Sequence, residues 1–150
     1  MTDIMIYESG NGGDISLKNG DIEIIDGLSN QAYLAHFGGN VEASTTGEEI
    51  AGIERADWWG NSFFLNDPNA QMNSGLERTL NNTPLTSAGR IALAQVSKKD
   101  IEYLSDIADV SSEVSINGTD KLIISDKINQ ANADFIWNAI KQELIEEITI

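Results

Sequence analysis

Two Asn-Gly pairs, Asn19-Gly20 and Asn117-Gly118, each stand between runs that alternate apolar and polar residues. Ile15 and Leu17 precede the first pair, and Ile22 and Ile24 follow it. Val114 and Ile116 precede the second, and Leu122 and Ile124 follow it. Alternation with period two places apolar side chains on one face of a strand. Asn-Gly tolerates the positive φ that a tight reversal demands. One antiparallel hairpin is therefore expected near each end of the chain.

Between the hairpins the pattern becomes helical. In "GLSNQAYLAHFGG", Ser29 or Asn30 can cap a short helix carrying Tyr33, Leu34 and Phe37, which Gly38-Gly39 ends. "SGLE" at 74–77 has capping-box spacing and starts a helix through Leu80, stopped by Pro84. Thr86 or Ser87 opens the longest helix, reaching about Ala108, with Leu93, Val96, Ile101, Leu104 and Ile107 as its apolar stripe. "SKKD" at 97–100 can kink or recap it. "DIMIY" at 3–7 reads as a short strand, and residues 50–53 can form another. The tail carries two periods at once. Phe135, Trp137 and Ala139 alternate, whereas Ile136, Ile140, Leu144 and Ile148 recur every four residues. A strand to about Asn138 followed by a short helix is the expectation, with residues 139–150 flexible or ordered by a partner. No internal repeat is evident. The elements add up to one α+β domain over residues 1–150. It has a mainly antiparallel sheet, N- and C-terminal hairpins, and helices packed on one face.

Nine basic residues against 24 acidic ones give a net charge of −15. Such a surface repels phosphate backbones and anionic membranes, so neither nucleic acid nor membrane is an expected partner. It favours a basic protein partner. The absence of cysteine excludes disulfides, thiolate nucleophiles and thiolate metal sites. No apolar run approaches the length of a membrane span, and "MTDIMIYESG" does not read as a signal peptide.

Reactive constellations are few. His36 is the single histidine, set beside Phe37 on a short helix, where a packed or half-exposed role is expected. One imidazole and no thiol cannot build a zinc site of the usual kind. "DPNAQMNSGLER" opens like a calcium loop, but has Met72 where glycine is needed and Arg78 where glutamate is needed. "GNGGD" lacks the lysine of a phosphate loop. Glu48, Glu49, Glu54 and Asp57 stand near a group of aromatic residues and could serve a glycosidase, which needs two carboxyl groups across a cleft. Among so many acids, a solvated surface is the simpler expectation. No catalytic residue, cofactor or metal is assigned.

Trp58, Trp59, Phe63 and Phe64 place four rings in "DWWGNSFF". Adjacent residues on a strand face opposite sides, so only one tryptophan readily meets the same core. The other lies under a loop or serves as an interface anchor. Both alternatives stand at this point. Gly60-Asn61 supplies a turn.

The order of these features resembles the baseplate wedge proteins of Mu-like contractile-tailed phages. Those are related to the small wedge proteins, or sheath initiators, of contractile injection systems. The resemblance spans roughly residues 14–140. It is carried by "GDIEIIDGL", "WWGN" at 58–61, the helix ending "KKDIEYL", and the final hairpin with "FIWNA". It implies a non-enzymatic virion protein of the tail baseplate, assembled in the host cytoplasm. Several copies would sit in a symmetric particle. The implied neighbours are other wedge proteins, tail sheath and tube. It further implies terminal strands that pair with neighbours and template the sheath. Some relatives carry Glu-Pro-Arg before the terminal hairpin; this chain reads "DVSSEVSI" at 109–116, so that contact does not carry over. The candidate interface residues are Trp58, Trp59, Asn61, Phe135, Trp137, Ile140 and Leu144. A glycan-cleaving baseplate enzyme and an acidic adaptor outside any particle are the alternatives.

Overall fold

The computed structural model describes residues 2–8, 13–38 and 75–149. The fold is mixed α+β, with N-terminal hairpins, three helices and a four-stranded antiparallel sheet among the described residues.

The N-terminal strands are β1 (Thr2–Ile4), β2 (Ile6–Glu8), β3 (Gly13–Ile15), β4 (Leu17–Lys18), β5 (Asp21–Ile22) and β6 (Ile24–Asp26). They pair as three short arms, β1 with β6, β2 with β3, and β4 with β5. A closed triangle of backbone bonds joins the arms, each 2.9 Å long. Met5 N donates to Glu23 O, Glu23 N to Ser16 O, and Ser16 N to Met5 O.

The triangle exposes a repeat that the sequence reading missed. Asp-Ile-x-Ile/Leu occurs at 3–6, 14–17 and 21–24. The fourth residue of each copy lies opposite the second residue of the next, cyclically: Ile6 with Ile15, Leu17 with Ile22, Ile24 with Ile4. In every copy the aspartate Oδ1 accepts the next residue's N–H, at 2.8, 2.7 and 2.8 Å for Asp3, Asp14 and Asp21. Uneven spacing between copies hides the period. Asn19-Gly20 makes the expected two-residue turn, with φ of 56° and 83°.

Helix α1 spans Ser29–Phe37, α2 spans Leu76–Asn82, and α3 spans Ser87–Ile101, continued by a 3₁₀ turn over Glu102–Asp106. The expected Ser29 or Asn30 cap is not formed. Leu28 holds the cap position without a side-chain bond. Asn30 is instead buried and ties the N-terminal strands to α1. Its Nδ2 donates to Ile4 O at 2.5 Å and Asp3 Oδ2 at 3.2 Å, and its Oδ1 accepts from Ile6 N at 3.2 Å. Thr86 does cap α3, accepting from Gly89 N at 3.0 Å. The α-helix ends at Ile101, and the 3₁₀ turn carries the chain to Asp106, close to the expected end at Ala108; the buried face of α3 carries Gly89, Leu93, Ser97, Asp100 and Ile101. Ile107, read as part of the stripe, is exposed.

The main sheet has the order β10-β9-β8-β7, formed by β7 (Val110–Asn117), β8 (Lys121–Ile128), β9 (Ala131–Asn138) and β10 (Glu143–Thr149). Leu122, Ile124, Phe135 and Trp137 line the core, and α3 packs on β7. Asn117 remains in its strand opposite Lys121, so the second Asn-Gly makes a three-residue loop begun by Gly118 at φ 75°.

The expected C-terminal helix is a strand. Asn138 Oδ1 accepts from Ile140 N and Lys141 N at 2.9 Å each, and Gln142 N reaches Asn138 O at 2.8 Å. A single helical turn thus begins where the sequence suggested, and Gln142, at φ 56°, ends it. β10 then aligns Leu144 with Trp137, and a bulge at Ile145 resets its alternation.

Gly89 offers a test of this packing. Glycine to alanine inside a helix ordinarily stabilises by about 1 kcal/mol. A Cβ at Gly89 would lie 2.2 Å from Pro84 O and 2.8 Å from Thr83 Cγ2. Gly89→Ala is therefore expected to lower the thermal midpoint, and a raised midpoint would show that the 83–89 segment is not packed in this way.

Candidate functional site

His36 is fully buried where α1 meets α3 and the sheet. Its Nε2–H donates to Asp126 Oδ2 on β8 at 2.6 Å, and Nδ1 lies 3.7 Å from Asp100 Oδ2 on α3. Ser97 Oγ on α3 lies 3.3 Å from Nε2 and also bonds Ser112 Oγ on β7. Phe135 of β9 stands edge-on to the imidazole, 5.8 Å between centroids at 89°, and Phe37 flanks it at 6.2 Å.

Asp100 holds a second element. Its carboxylate accepts Gly75 N at 3.0 and 2.9 Å and Leu76 N at 2.8 Å. A side chain from α3 therefore satisfies the free N–H groups that open α2. The cap position is Gly75, without a side-chain bond of its own, and Ser74 of the expected capping box lies outside the described residues.

Burial alone would push His36 down, because a charge loses its water. The nearby Asp100 carboxylate and the hydrogen bond and charge of Asp126 outweigh that effect and raise it to about 9. The imidazole is thus a cation at neutral pH, placed in the last turn of α1, where the helix dipole favours positive charge.

Serine, histidine and two carboxylates suggest nucleophilic catalysis, but this geometry opposes it. A triad base must accept the serine proton and be oriented through its other nitrogen. Here Asp126 occupies the nitrogen that faces Ser97, and the imidazole already carries both protons. Ser97 and His36 are each 0% exposed. Nor can an imidazolium ligate a metal, and among the described residues no His, Asp and Glu cluster is suited to hold one. What the cluster does is hold α1, α2, α3 and β8 together by charge.

The candidate interface residues fall into three groups. Trp58, Trp59 and Asn61 lie outside the described residues, as do Glu48, Glu49, Glu54, Asp57 and the strand expected near 50–53. Phe135, Trp137 and Leu144 are buried at 0%, 2% and 8% exposure, packed within this chain's core. Ile140 is 77% exposed at the β9–β10 turn.

The backbone is presented differently. Asn129 N donates to Asp109 O at 2.8 Å, which sets the phase of the β7–β8 ladder. By antiparallel alternation, the peptide groups of Val110, Ser112, Val114 and Ile116 then turn away from β8. Among the described residues no strand pairs with that side of β7, nor with the outer side of β10. Arg90 Nη1 donates to the outward Val114 carbonyl at 3.3 Å.

Among the described residues no helix is long and apolar enough to cross a membrane. Comparison with family models, curated proteins and solved structures finds no match.

The cluster carries a pH prediction. His36 is raised above its unfolded value of 6.5 to about 9. Its contribution is fully present below pH 6.5 and is lost as pH rises through about 9. The difference is on the order of 3 kcal/mol. Urea unfolding from pH 6 to 10 should show this fall. His36→Gln should destabilise at neutral pH by roughly 3–5 kcal/mol and flatten the profile, because two buried carboxylates lose their cation. A profile unchanged by His36→Gln would refute the charged lock.

Proposed function

We propose that this chain is a non-enzymatic structural subunit of a contractile-tail baseplate, joining baseplate to tube and sheath. It acts by offering strand edges to neighbouring chains. Its place is the virion tail, built in the bacterial cytoplasm, with wedge, sheath and tube proteins as neighbours in a symmetric particle. The motif order carried by "GDIEIIDGL", "WWGN" and "KKDIEYL" supports this reading.

The observation that carries it is the open side of β7. Outward peptide groups on an edge strand are a template for a partner strand, and here the Val114 carbonyl is already held by Arg90 while the outward groups of Val110, Ser112 and Ile116 pair with no strand among the described residues. Glu113 and Asp109, exposed beside that edge, oppose pairing between two copies and favour a basic partner. Ser97 and His36, the pair closest to a catalytic arrangement, are enclosed in the core. The glycan-cleaving alternative rests on acids outside the described residues, and the adaptor alternative rests on net charge alone.

Ile116 allows the backbone to be tested separately from the side chain. Ile116→Pro removes an outward N–H near the end of an edge strand, whereas Ile116→Ala keeps it. In co-sedimentation with purified wedge and sheath proteins, the native chain and Ile116→Ala should co-assemble. Ile116→Pro should weaken assembly about tenfold or more, one hydrogen bond and the steric fit being lost together. Equal assembly by both variants would contradict strand pairing along β7, and no assembly by the native chain would contradict the baseplate reading.

A further inference from the structure

The elements packed round α3 fix which of its sides is left open. Val96 lies against Gly75 at the start of α2, and Asp100 stands beside His36 of α1. Ser97 and Arg90 meet β7, at Ser112 Oγ and the Val114 carbonyl. At about 100° per residue, these contacts run in one direction round the helix, from Val96 through Asp100 and Ser97 to Arg90. Beyond Arg90 come the buried Ile101 and then Ala94, Ser87, Lys98 and Ile91. This last arc overhangs the space beside β7 where a further strand would lie. Ser87 and Lys98 are exposed, Ala94 is half-buried, and Ile91 is 51% exposed.

That side of an acidic chain is basic. From Ser87 to Lys99, α3 carries Arg90, Lys98 and Lys99, three of the nine basic residues, and no acid. Helix stability does not explain Arg90. It is the fourth residue of α3, where the helix dipole works against a cation, and no acid accompanies it in the first turn. Among the described residues its side chain bonds the Val114 carbonyl alone, at 3.3 Å, with one of the five donors of a guanidinium.

Glu113 points to the other face of β7, because side chains alternate along a strand. A single paired strand therefore meets Glu113 with one set of side chains and α3 with the other. An antiparallel second copy would present its own Val110, Ser112 and Val114 on the α3 side, and no carboxylate.

We propose that the open side of β7 takes a strand whose helix-facing side chains include a carboxylate and an aliphatic residue. The carboxylate lies against Arg90 and Lys98, and the aliphatic residue packs on Ile91 and Ala94. Arg90 passes its hydrogen bond from the Val114 carbonyl to the carboxylate, a stronger acceptor, as the partner's N–H takes over that carbonyl. The inference rests on the reading of β7 as a pairing edge and adds which strand that edge selects.

The test is amide-detected NMR titration of the full chain. The probe is a short strand-forming peptide with threonine on one face and alternating glutamate and valine on the other. The control replaces each glutamate with glutamine. The glutamate peptide should shift the amides of Ser112, Val114 and Ile116. It should also bind about fivefold more tightly than the control, against the repulsion of a net charge of −15. Arg90→Gln with Lys98→Gln should abolish that preference and leave the control's binding in place. Both side chains are exposed, and unchanged β8–β9 amide signals would confirm folding. Should they change, Lys98→Gln alone serves, with a smaller fall in the same direction.

Equal binding of the two peptides, or a preference that survives both substitutions, would overturn the proposal and leave β7 pairing standing. No shift with either peptide, or slow hydrogen exchange of the outward β7 amides in the free chain, would overturn both. Concentration-dependent self-pairing through those amides would assign the edge to a second copy.

Discussion

A buried imidazolium between two carboxylates is the interaction on which the rest of the described structure depends. His36 arrives from α1, Asp126 from β8 and Asp100 from α3, and Asp100 also receives the backbone that opens α2. Desolvating one such charge costs several kcal/mol, so the arrangement persists only because both carboxylates are close and Asp126 is hydrogen-bonded to the ring. The opposing terms are large, and the carboxylates win, as the upward displacement of His36 records. An apolar substitute of equal volume could match the stability. What it could not do is dictate which helix meets which strand, since apolar contacts are non-directional.

The serine, histidine and acids that resemble a catalytic set are spent on holding elements together. Among the described residues two outward-facing features stand out, and they differ in kind. β7 turns peptide groups toward solvent, with Val114 O already engaged by Arg90. In the N-terminal unit Asp3, Asp14 and Asp21 accept the outward N–H groups of Ile4, Ile15 and Ile22, and aliphatic side chains are exposed. Asn30 and Ile6 join them into one body, by hydrogen bonds to the N-terminal strand and by contact with the core respectively.

How much of this could be read from residues alone follows from the range of each interaction. Asn19-Gly20, the Thr86 cap and the alternation of β7 to β9 are local, and they form close to where expected. The tail was misread because Ile140, Leu144 and Ile148 keep helical spacing while the chain completes only one turn, closed by Asn138 and stopped by Gln142. His36 was expected to be ordinary because Asp126 lies 90 positions away. A better signal existed on α3. Ser97 and Asp100 fall on the helical face of Leu93 and Leu104, and polar residues on a buried face need partners. The Asp-Ile-x-Ile/Leu triplet was equally visible, but its copies are unevenly spaced and its meaning lies in pairing rather than period.

The charged lock can be observed directly by ¹⁵N-edited NMR of the imidazole of His36. An imidazolium is expected at pH 7, protonated on both nitrogens and protected from exchange with solvent, and it should lose its proton near pH 9. A neutral ring at pH 7, held as a single tautomer or titrating near the unperturbed value of about 6.5, would contradict it.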